Sequence, residues 1–479
     1  MLTVRGGQQR VCSGPSRREL LQAAGMGLFG VSLPKVMAAE DVMQPFARGR
    51  AKSVLFLLLF GGPSQLETFD LKPGAPDTIR GPFKPIGSRT PGLQICEHLP
   101  KCAQISDKFA VIRSMNHPYN DHGAVHYIQT GRPHPNRFRA NSGGTPVNAN
   151  AWPAMGSVVE YLSQHGGNGQ MRFLPDYIFL PNRLGALQDT DRPGQYAGWL
   201  GNGYNALTTN IRKRDQDDNP YFRQCTDAEL NFRIKGLVSK TEVGLTRLHG
   251  RQTLLEQFAS QRRQIDTSRV VESHNQLRQR AMELATSERM QTALDIRRET
   301  PRMRDRYGRH LFGQSVLMGR RMVEAGARFV TVAWDTPDGY SWDSHRHSRD
   351  LQDHLLPGFD QAFSALLVDL DERGLLDETL VVAIGEMGRT PSANGNWGRG
   401  HWTHCFPAVL AGAGIQGGVT YGSSDARAAY PAEDPTSPED LAATVFQALG
   451  IDPQLRIPDR EGRPVALVEH GRPLAQLFG

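Results

Sequence analysis

Residues 356–388 read LPGFDQAFSALLVDLDERGLLDETLVVAIGEMG, and this stretch predicts the repeating unit of the fold. Its first half carries large apolar residues at helical spacing, which predicts an amphipathic helix that ends at Gly374. The apolar run 380–384 follows, and its length and continuity are typical of a strand buried on both faces. A single carboxylate, Glu386, comes directly after this strand and Gly385. The apolar helix positions are Phe359, Phe363, Leu366, Leu367 and Leu370.

The same alternation of helix and buried strand recurs along the chain. Residues 54–60 form an apolar run that ends at a Gly-Gly-Pro sequence (61–63), and residues 313–332 predict a helix followed by a strand. Near the C-terminus, Ser437 and Asp440 have the spacing of a helix capping box. This alternation predicts a three-layer α/β/α sandwich around a largely parallel sheet. In such sheets, sites form beyond the carboxyl ends of the strands.

The composition limits the class of protein. The chain has 479 residues, of which 39% are hydrophobic and 22% charged, and this balance excludes a disordered, fibrous or multispanning protein. We assign residues 50–479 to one α/β/α domain. Residues 227–304 are rich in Gln, Arg and Glu and predict surface helices inserted into that domain. The insertion is equally compatible with a lid, a dimer surface or simple packing.

The N-terminal residues 1–39 have the features of a twin-arginine export signal. Arg17 and Arg18 precede an apolar run at 20–33, and small residues follow at Ala38 and Ala39. A transmembrane anchor is the alternative, but the run is shorter than the ~20 apolar residues of a span and contains glycines. We therefore expect a periplasmic or secreted protein with no stable membrane span after signal removal.

Removal of this signal changes the charge of the protein. The signal carries five basic residues and one acidic residue, so the formal net charge of +6 falls to +2 in the mature chain. A charge this small gives no electrostatic reason to expect nucleic acid as a partner.

Cysteines do not supply an obvious site. The mature chain retains Cys96, Cys102, Cys225 and Cys405, and none of them forms a CxxC motif. A thiolate zinc site is therefore not predicted. Cys96 and Cys102 are close enough in sequence to pair in an oxidising compartment, and the sequence leaves that pairing open.

Acids and histidines recur after several of the apolar runs. In SWDSHRH (341–347), Asp343, His345 and His347 alternate, so in an extended chain they would project from one side and suit a divalent cation. The alternative is a polar loop with incidental histidines. His401 and His404 precede another apolar run, and an ordinary surface loop is the alternative there.

A further cluster follows the short apolar run at 109–112. The sequence FAVIRSMNHPYNDHGAVHYIQTGRPHP (109–135) contains His117, Asp121, His122, His126 and His134. Between Met115 and Ile128 it contains no serine, threonine or cysteine.

Several motifs together resemble the DUF1501 family of exported, sulfatase-like proteins. They are FLLLFGGPSQLETFDLKPGAP, SWDSH, LLDETLVVAIGEMGRTP, GRGHW and PEDLAATVFQALGID, spread from about residue 52 to the C-terminus. The family is in turn similar to the alkaline phosphatase and sulfatase superfamily. That resemblance implies an α/β/α sandwich with a metal site at the strand ends.

The resemblance also implies a set of ligands for a divalent ion such as zinc, manganese or calcium. Glu386 stands where a sulfatase has a metal-binding aspartate. Asp343 and His345 match an acid and histidine pair that holds a metal in phosphatase-type members. His401 matches a later histidine ligand.

The chain departs from the superfamily pattern at three places. The first apolar run ends at Gly61-Gly62, where the first strand of a sulfatase ends in aspartates. Met387 stands where a second ligand is usual, and a thioether is a poor ligand for hard ions. Counting back from the Thr-Gly at 130–131 places Asp121 at the nucleophile position, beside His122. A formylglycine sulfatase needs cysteine or serine there. The remaining options are attack by a metal-activated water with His122 as acid or base, attack by the Asp121 carboxylate, or no catalysis.

The leading hypothesis is a metal-dependent hydrolase of phosphate or sulfate esters that uses bound water. Its partner would be an anionic ester, for example a sulfated or phosphorylated glycan, and Arg389 would pair with the anionic oxygens as a fork. The second hypothesis is a non-catalytic secreted binding or envelope protein that retains the fold. Fold alone does not decide between them.

Overall fold

The structure is a computed structural model, which describes residues 50–133, 151–166, 174–232, 234, 287–335 and 341–479. The predicted signal at 1–39 lies outside these residues, as does most of the predicted insertion. The described end of that insertion contains two short helices, Glu288–Leu294 and Pro301–Tyr307. The domain limits and the role of the insertion stay predictions.

The described residues form sixteen strands and nine α-helices. The strands are β1 (Ser53–Leu59), β2 (Pro85–Gly87), β3 (Gln94–Cys96), β4 (Phe109–Met115), β5 (Tyr177–Leu180), β6 (Leu207–Thr208), β7 (Phe329–Trp334), β8 (Thr379–Ile384), β9 (Gly388–Arg389), β10 (His401–Trp402), β11 (Phe406–Ala411), β12 (Thr420–Tyr421), β13 (Ser423–Ser424), β14 (Pro431–Glu433), β15 (Arg456–Pro458) and β16 (Pro464–Ala466). The helices are α1 (Asp77–Arg80), α2 (Pro100–Gln104), α3 (Val125–Thr130), α4 (Met155–Gly166), α5 (Glu288–Leu294), α6 (Pro301–Tyr307), α7 (Leu311–Ala325), α8 (Leu356–Glu372) and α9 (Pro438–Ala448).

Eight of the strands make the central sheet, in the order β12-β4-β11-β8-β1-β7-β5-β6. β1 pairs in parallel with both β7 and β8, and every residue of these three strands is buried. Only β11 runs against its neighbours β4 and β8 in this sheet. The expectation of a largely parallel sheet is therefore confirmed. The one reversed strand brings its amino end to the edge where the other strands have their carboxyl ends.

The two faces of the sheet pack into separate apolar clusters. Alternate residues of β1 divide between them: Leu55 and Leu57 lie in one cluster, and Val54 and Phe56 lie in the other. The first cluster includes α7 and α8, and the second includes α4 and α9. Helices on both faces explain why the strands read as continuous apolar runs, and they make the three-layer sandwich that the sequence predicts.

The local predictions in the opening stretch are confirmed. The helix covers Leu356–Glu372, and all five apolar positions predicted to share one side are buried. Gly374 follows it with φ +67°, a left-handed conformation that favours glycine. The capping box is also present: the Ser437 side chain accepts from the Asp440 N–H, and the Asp440 carboxylate accepts from the Ser437 N–H.

The four cysteines of the mature chain are buried and free in the structure. Burial raises the pKa of the Cys96 thiol to about 12, and it also raises that of Cys102. These thiols are therefore protonated at neutral pH and act as small apolar core residues.

None of the helices in the described part of the chain combines the length and apolar character that a bilayer span requires.

We expect one buried histidine to make the stability of this fold depend on pH. His310 caps α7 by accepting from the Gly313 N–H at 3.2 Å through Nδ1, and its Nε2 is buried with no partner among the described residues. Burial lowers the pKa of His310 to about 4. Because the folded pKa lies below the unfolded value of ~6.5, stability is fully present above about pH 6.5 and is lost as the pH falls toward 4.

The measurement is urea unfolding at pH 7 and pH 5. We expect the free energy of unfolding to fall by about 1–2 kcal/mol from this residue alone. His310→Asn keeps a capping side chain without the titration and should reduce the loss, whereas the exposed His470→Asn should not. An unchanged pH dependence in His310→Asn would contradict the assignment.

Candidate functional site

Side chains from four segments meet at the carboxyl edge of the sheet. His122 follows β4, Asp343 follows β7, and Glu386 follows β8. His401 lies in β10, shortly before the reversed strand β11, so it reaches the same edge from the opposite chain direction. This is the place at which an open parallel sheet is expected to carry its site.

The Asp343 carboxylate is the centre of the cluster. Its Oδ1 lies 2.9 Å from His345 Nε2 and 3.1 Å from His401 Nε2, and the two histidine nitrogens are 2.9 Å apart. Its Oδ2 lies 3.1 Å from His122 Nε2. His122, Asp343 and His401 each offer one ligand atom within 4.8 Å of the others, as a metal site requires. We refer to these three residues with His345 as the His-Asp cluster.

Glu386 contacts this cluster through His122. It is fully buried, both carboxylate oxygens accept from the Gly61 N–H at 3.0 Å, and Oε1 lies 2.6 Å from His122 Nδ1. Asp343, His345 and His401, three of the four predicted ligands, are therefore brought together directly. The fourth, Glu386, is joined to them through His122, which the sequence predicts as an acid or base and not as a ligand.

Gly61 allows the first strand to approach the cluster. Its φ is +113°, and a Cβ at this position would lie 2.5 Å from the Asp343 nitrogen and 2.9 Å from the Trp342 carbonyl carbon. No other residue type fits without moving the backbone that carries Asp343. The Gly-Gly-Pro sequence at the end of the first apolar run was the sequence signal for this close approach.

Arg389 also points at Asp343. Its guanidinium is fully buried, with Nη2 2.6 Å from Asp343 Oδ1 and Nε donating to the Gly62 carbonyl at 3.0 Å. The β9–β10 ribbon fixes this position by pairing Arg389 with His401. The predicted substrate fork is thus engaged with a protein carboxylate, and in this arrangement it stabilises Asp343 instead of presenting free donors.

Asp121 positions His122. The Asp121 carboxylate accepts from the Gly123 N–H at 2.7 Å and caps the short 3-10 turn His122–Ala124. This is an ordinary capping arrangement for an aspartate. The structure therefore gives Asp121 a local partner at the start of the segment that delivers His122.

The segment that carries Asp343, His345 and His347 is not extended, so the condition under which all three would project from one side is not met. The His345 N–H donates to the Asp343 carbonyl at 2.9 Å, and the Ser344 N–H donates to the Trp342 carbonyl at the same distance. Successive tight turns bend the segment. His347 instead forms an isolated backbone bridge with Trp397.

The electrostatics of the cluster follow from these contacts. Burial lowers the pKa of His122, but its hydrogen bonds to Asp343 and Glu386 outweigh that effect and raise the pKa to about 9. Burial raises the pKa of the Asp343 carboxyl, but hydrogen bonds from His122 and His401 and the charge of Arg389 outweigh that effect and hold the pKa well below the usual range. Burial lowers the pKa of His345. Without an ion, the Asp343 carboxyl is therefore charged and His122 is protonated, so that it donates from both nitrogens.

His117 is a supporting residue that sequence reasoning did not single out from its cluster. Its Nε2 donates to the Glu386 carbonyl at 2.7 Å, and its Nδ1 accepts from the Tyr119 N–H at 3.2 Å. Burial lowers its pKa to about 4, which agrees with a neutral ring that donates from one nitrogen and accepts at the other. It fixes the backbone of the loop that carries Glu386.

Comparisons with known proteins agree with the resemblance drawn from the motifs. A family model described as "Protein of unknown function (DUF1501)" matches residues 51–478. No curated protein matched the chain.

Solved structures similar to this chain include three from bacteria. Phosphonate monoester hydrolase from Silicibacter pomeroyi is 12% identical, covering 89% of this chain and 76% of its own, with a TM-score of 0.38. The PsFucS1 sulfatase from Pseudoalteromonas sp. is 13% identical, covering 91% and 72%, with a TM-score of 0.39. A protein in the alkaline phosphatase superfamily from Vibrio parahaemolyticus is 11% identical, covering 85% and 68%, with a TM-score of 0.34. At these values the similarity does not identify a substrate.

We expect Gly61→Ala to disrupt the site and reduce stability. The substitution places a Cβ against the backbone of Asp343 and holds a non-glycine residue at positive φ, which costs on the order of 1–3 kcal/mol. Urea unfolding measures the loss. The control is Gly87→Ala, because a Cβ there meets no atom within 4 Å. Equal stability of the two variants would show that Gly61 does not need to be glycine.

Proposed function

Because this chain belongs to the DUF1501 family, whose function is unknown, we propose from its own site that it is a metal-dependent hydrolase of phosphate or sulfate esters. The observation that carries this proposal is the convergence of His122, Asp343 and His401 at the carboxyl edge of the sheet. The choice of phosphate or sulfate esters comes from the sulfatase-like motifs of the sequence. A sulfated or phosphorylated glycan is the substrate class that we propose to test first.

The residues of the cluster fit a divalent cation. Imidazole nitrogens and one carboxylate suit zinc or manganese better than calcium, which prefers oxygen ligands alone. His345 and His401 turn their Nε2 atoms toward each other and toward the same oxygen of Asp343, an arrangement that one shared cation would stabilise. An ion held there would supply a water of lowered pKa and would offset negative charge on the ester oxygens.

Glu386 acts on this site through His122. Histidine ligands commonly donate their second N–H to a carboxylate, which fixes the tautomer and orients the ring. The 2.6 Å contact between Glu386 and His122 Nδ1 has this arrangement, so His122 would offer Nε2 to the ion. We therefore propose that Glu386 orients a ligand, and that His122 replaces it among the direct ligands.

Elemental analysis of protein folded in the cytoplasm should find about one divalent ion per chain. Combined substitution of Asp343→Asn and His401→Gln should remove it, since two of three convergent donors are lost. The exposed His470→Gln is the matched control. Wild-type protein that stays free of zinc, manganese and calcium after incubation with each would overturn the proposal.

The effect of Glu386→Gln separates orientation from direct ligation. Loss of a carboxylate that supports a histidine ligand typically lowers metal affinity by about 10 to 100-fold. We expect that partial loss, measured by calorimetric titration with zinc and manganese. Glu378→Gln is the control, because Glu378 directly precedes this strand and its side chain is 44% exposed and pairs with Lys52. Complete loss of binding with Glu386→Gln would make Glu386 a direct ligand, and an unchanged affinity would remove it from the site.

The Asp121→Asn variant distinguishes two routes of hydrolysis. Asparagine also caps turns, so the variant keeps the contact to the Gly123 N–H while removing the nucleophilic carboxylate. If bound water attacks, turnover of p-nitrophenyl phosphate or p-nitrophenyl sulfate should persist within a few-fold. Loss of turnover with the metal still bound would identify Asp121 as the attacking group.

A non-catalytic binding protein is the second candidate. Residues 116–127 contain no serine, threonine or cysteine, and the Asp121 carboxylate is held by a local N–H. A protein that binds an ion but turns over none of a broad set of phosphate and sulfate esters would favour this candidate.

Export by the twin-arginine route completes the proposal. It is supported by Arg17 and Arg18 ahead of the apolar run in residues 1–39. Lysine at both positions should abolish the appearance of the mature protein outside the cytoplasm, and unchanged export would contradict the assignment.

A further inference from the structure

An arginine outside the His-Asp cluster lies against Phe60, a residue whose ring also contacts His122 of the cluster. The Arg192 guanidinium lies over the Phe60 ring, with its Cζ 5.0 Å from the ring centroid. The same ring lies 5.2 Å, centroid to centroid, from the imidazole of His122. Phe60 is buried at the end of the first strand. Arg192 is therefore one phenyl ring away from a residue of the cluster.

Arg192 differs from the other arginines near the site in having no carboxylate partner among the described residues. Arg389 lies 2.6 Å from Asp343, and Arg399 donates to Glu67 at 2.9 Å. The Arg192 Nη2 donates only to the neutral Gln188 Oε1 at 2.9 Å, and its Nε is buried without a partner in the described part of the chain.

Within the described part of the chain, the contacts around Arg192 hold it in place without pairing it with a carboxylate. The Gln188 amide donates to Asp335 Oδ1 at 3.0 Å, and the Gln195 amide donates to the Arg192 carbonyl at 2.9 Å. Stacking on Phe60 adds a cation–π contact to the guanidinium. A partly buried, positioned and unpaired guanidinium favours an anion as its partner, because leaving its donors unsatisfied costs free energy.

We propose that Arg192 binds a second anionic group of the substrate, a sulfate or phosphate separate from the one that reacts. The planar fork of arginine matches two oxygens of a tetrahedral oxyanion. The reacting group would lie against the His-Asp cluster, and Phe60 separates that position from Arg192. This inference rests on the proposed function and adds a preference for esters that carry two anionic groups.

The test is a calorimetric titration of the full mature chain with inorganic sulfate and, separately, inorganic phosphate. It is run after chelator treatment, so that anion binding to an ion in the cluster does not contribute. We expect the wild type to bind at least one of the two anions, and Arg192→Gln to weaken that binding about tenfold or more. Arg192→Lys, which retains charge but not the fork, should give an intermediate loss.

The control is Arg183→Gln, because Arg183 is a neighbouring arginine on the exposed surface that pairs with Tyr196 and Asp191. It should bind the anions as the wild type does. Thermal unfolding of each variant shows whether the fold is retained. Equal anion affinity in wild type and Arg192→Gln, or no anion binding by the wild type, would overturn the proposal.

The result of this test can be distinguished from a result that rejects the proposed hydrolase. Anion binding that depends on Arg192 in a protein without metal or turnover would keep this site while rejecting the hydrolase. In an active enzyme, Arg192→Gln should raise KM for an ester with two sulfate groups while leaving kcat and the KM of p-nitrophenyl sulfate nearly unchanged. Equal effects on both esters would contradict a second anionic subsite.

Discussion

The buried carboxylate of Glu386 joins three segments at the edge of the sheet. It accepts from the Gly61 N–H beyond β1, contacts His122 beyond β4, and itself lies beyond β8. A buried carboxylate is stable only when its oxygens are hydrogen-bonded or paired, so Glu386 depends on its contacts with Gly61 and His122. The segments that carry the candidate ligands are therefore joined through one buried carboxyl group as well as by loop packing.

The second carboxylate, Asp343, is organised by charges that surround it. Arg389 approaches from the buried side, while His345 and His401 approach from the more exposed side. Hydrogen bonds from His122 and His401 and the charge of Arg389 keep Asp343 ionised in a partly buried place. Oriented acids and imidazoles of this kind suit a divalent ion, and the Arg192 guanidinium lies over Phe60, whose ring also contacts His122.

Much of the fold could be predicted from the sequence because its signals are local. Burial of a parallel strand on both faces produces a continuous apolar run, and a helix that covers it repeats apolar residues at its own period. The capping box at Ser437 and Asp440 is complete within four residues. At the site, the sequence predicts Asp343, His345 and His401 near strand ends, and in the structure these three side chains lie together at one edge of the sheet.

The sequence by itself determined the alternating layers, the edge of the sheet that carries the site and the residue types available there. The tertiary structure decided which of these side chains touch. Glu386 meets His122 across 264 positions of chain, Arg389 turns to Asp343, and Arg192 reaches the site over Phe60. Strand order and the reversed direction of β11 set these distances, and both depend on long-range pairing that no local spacing encodes.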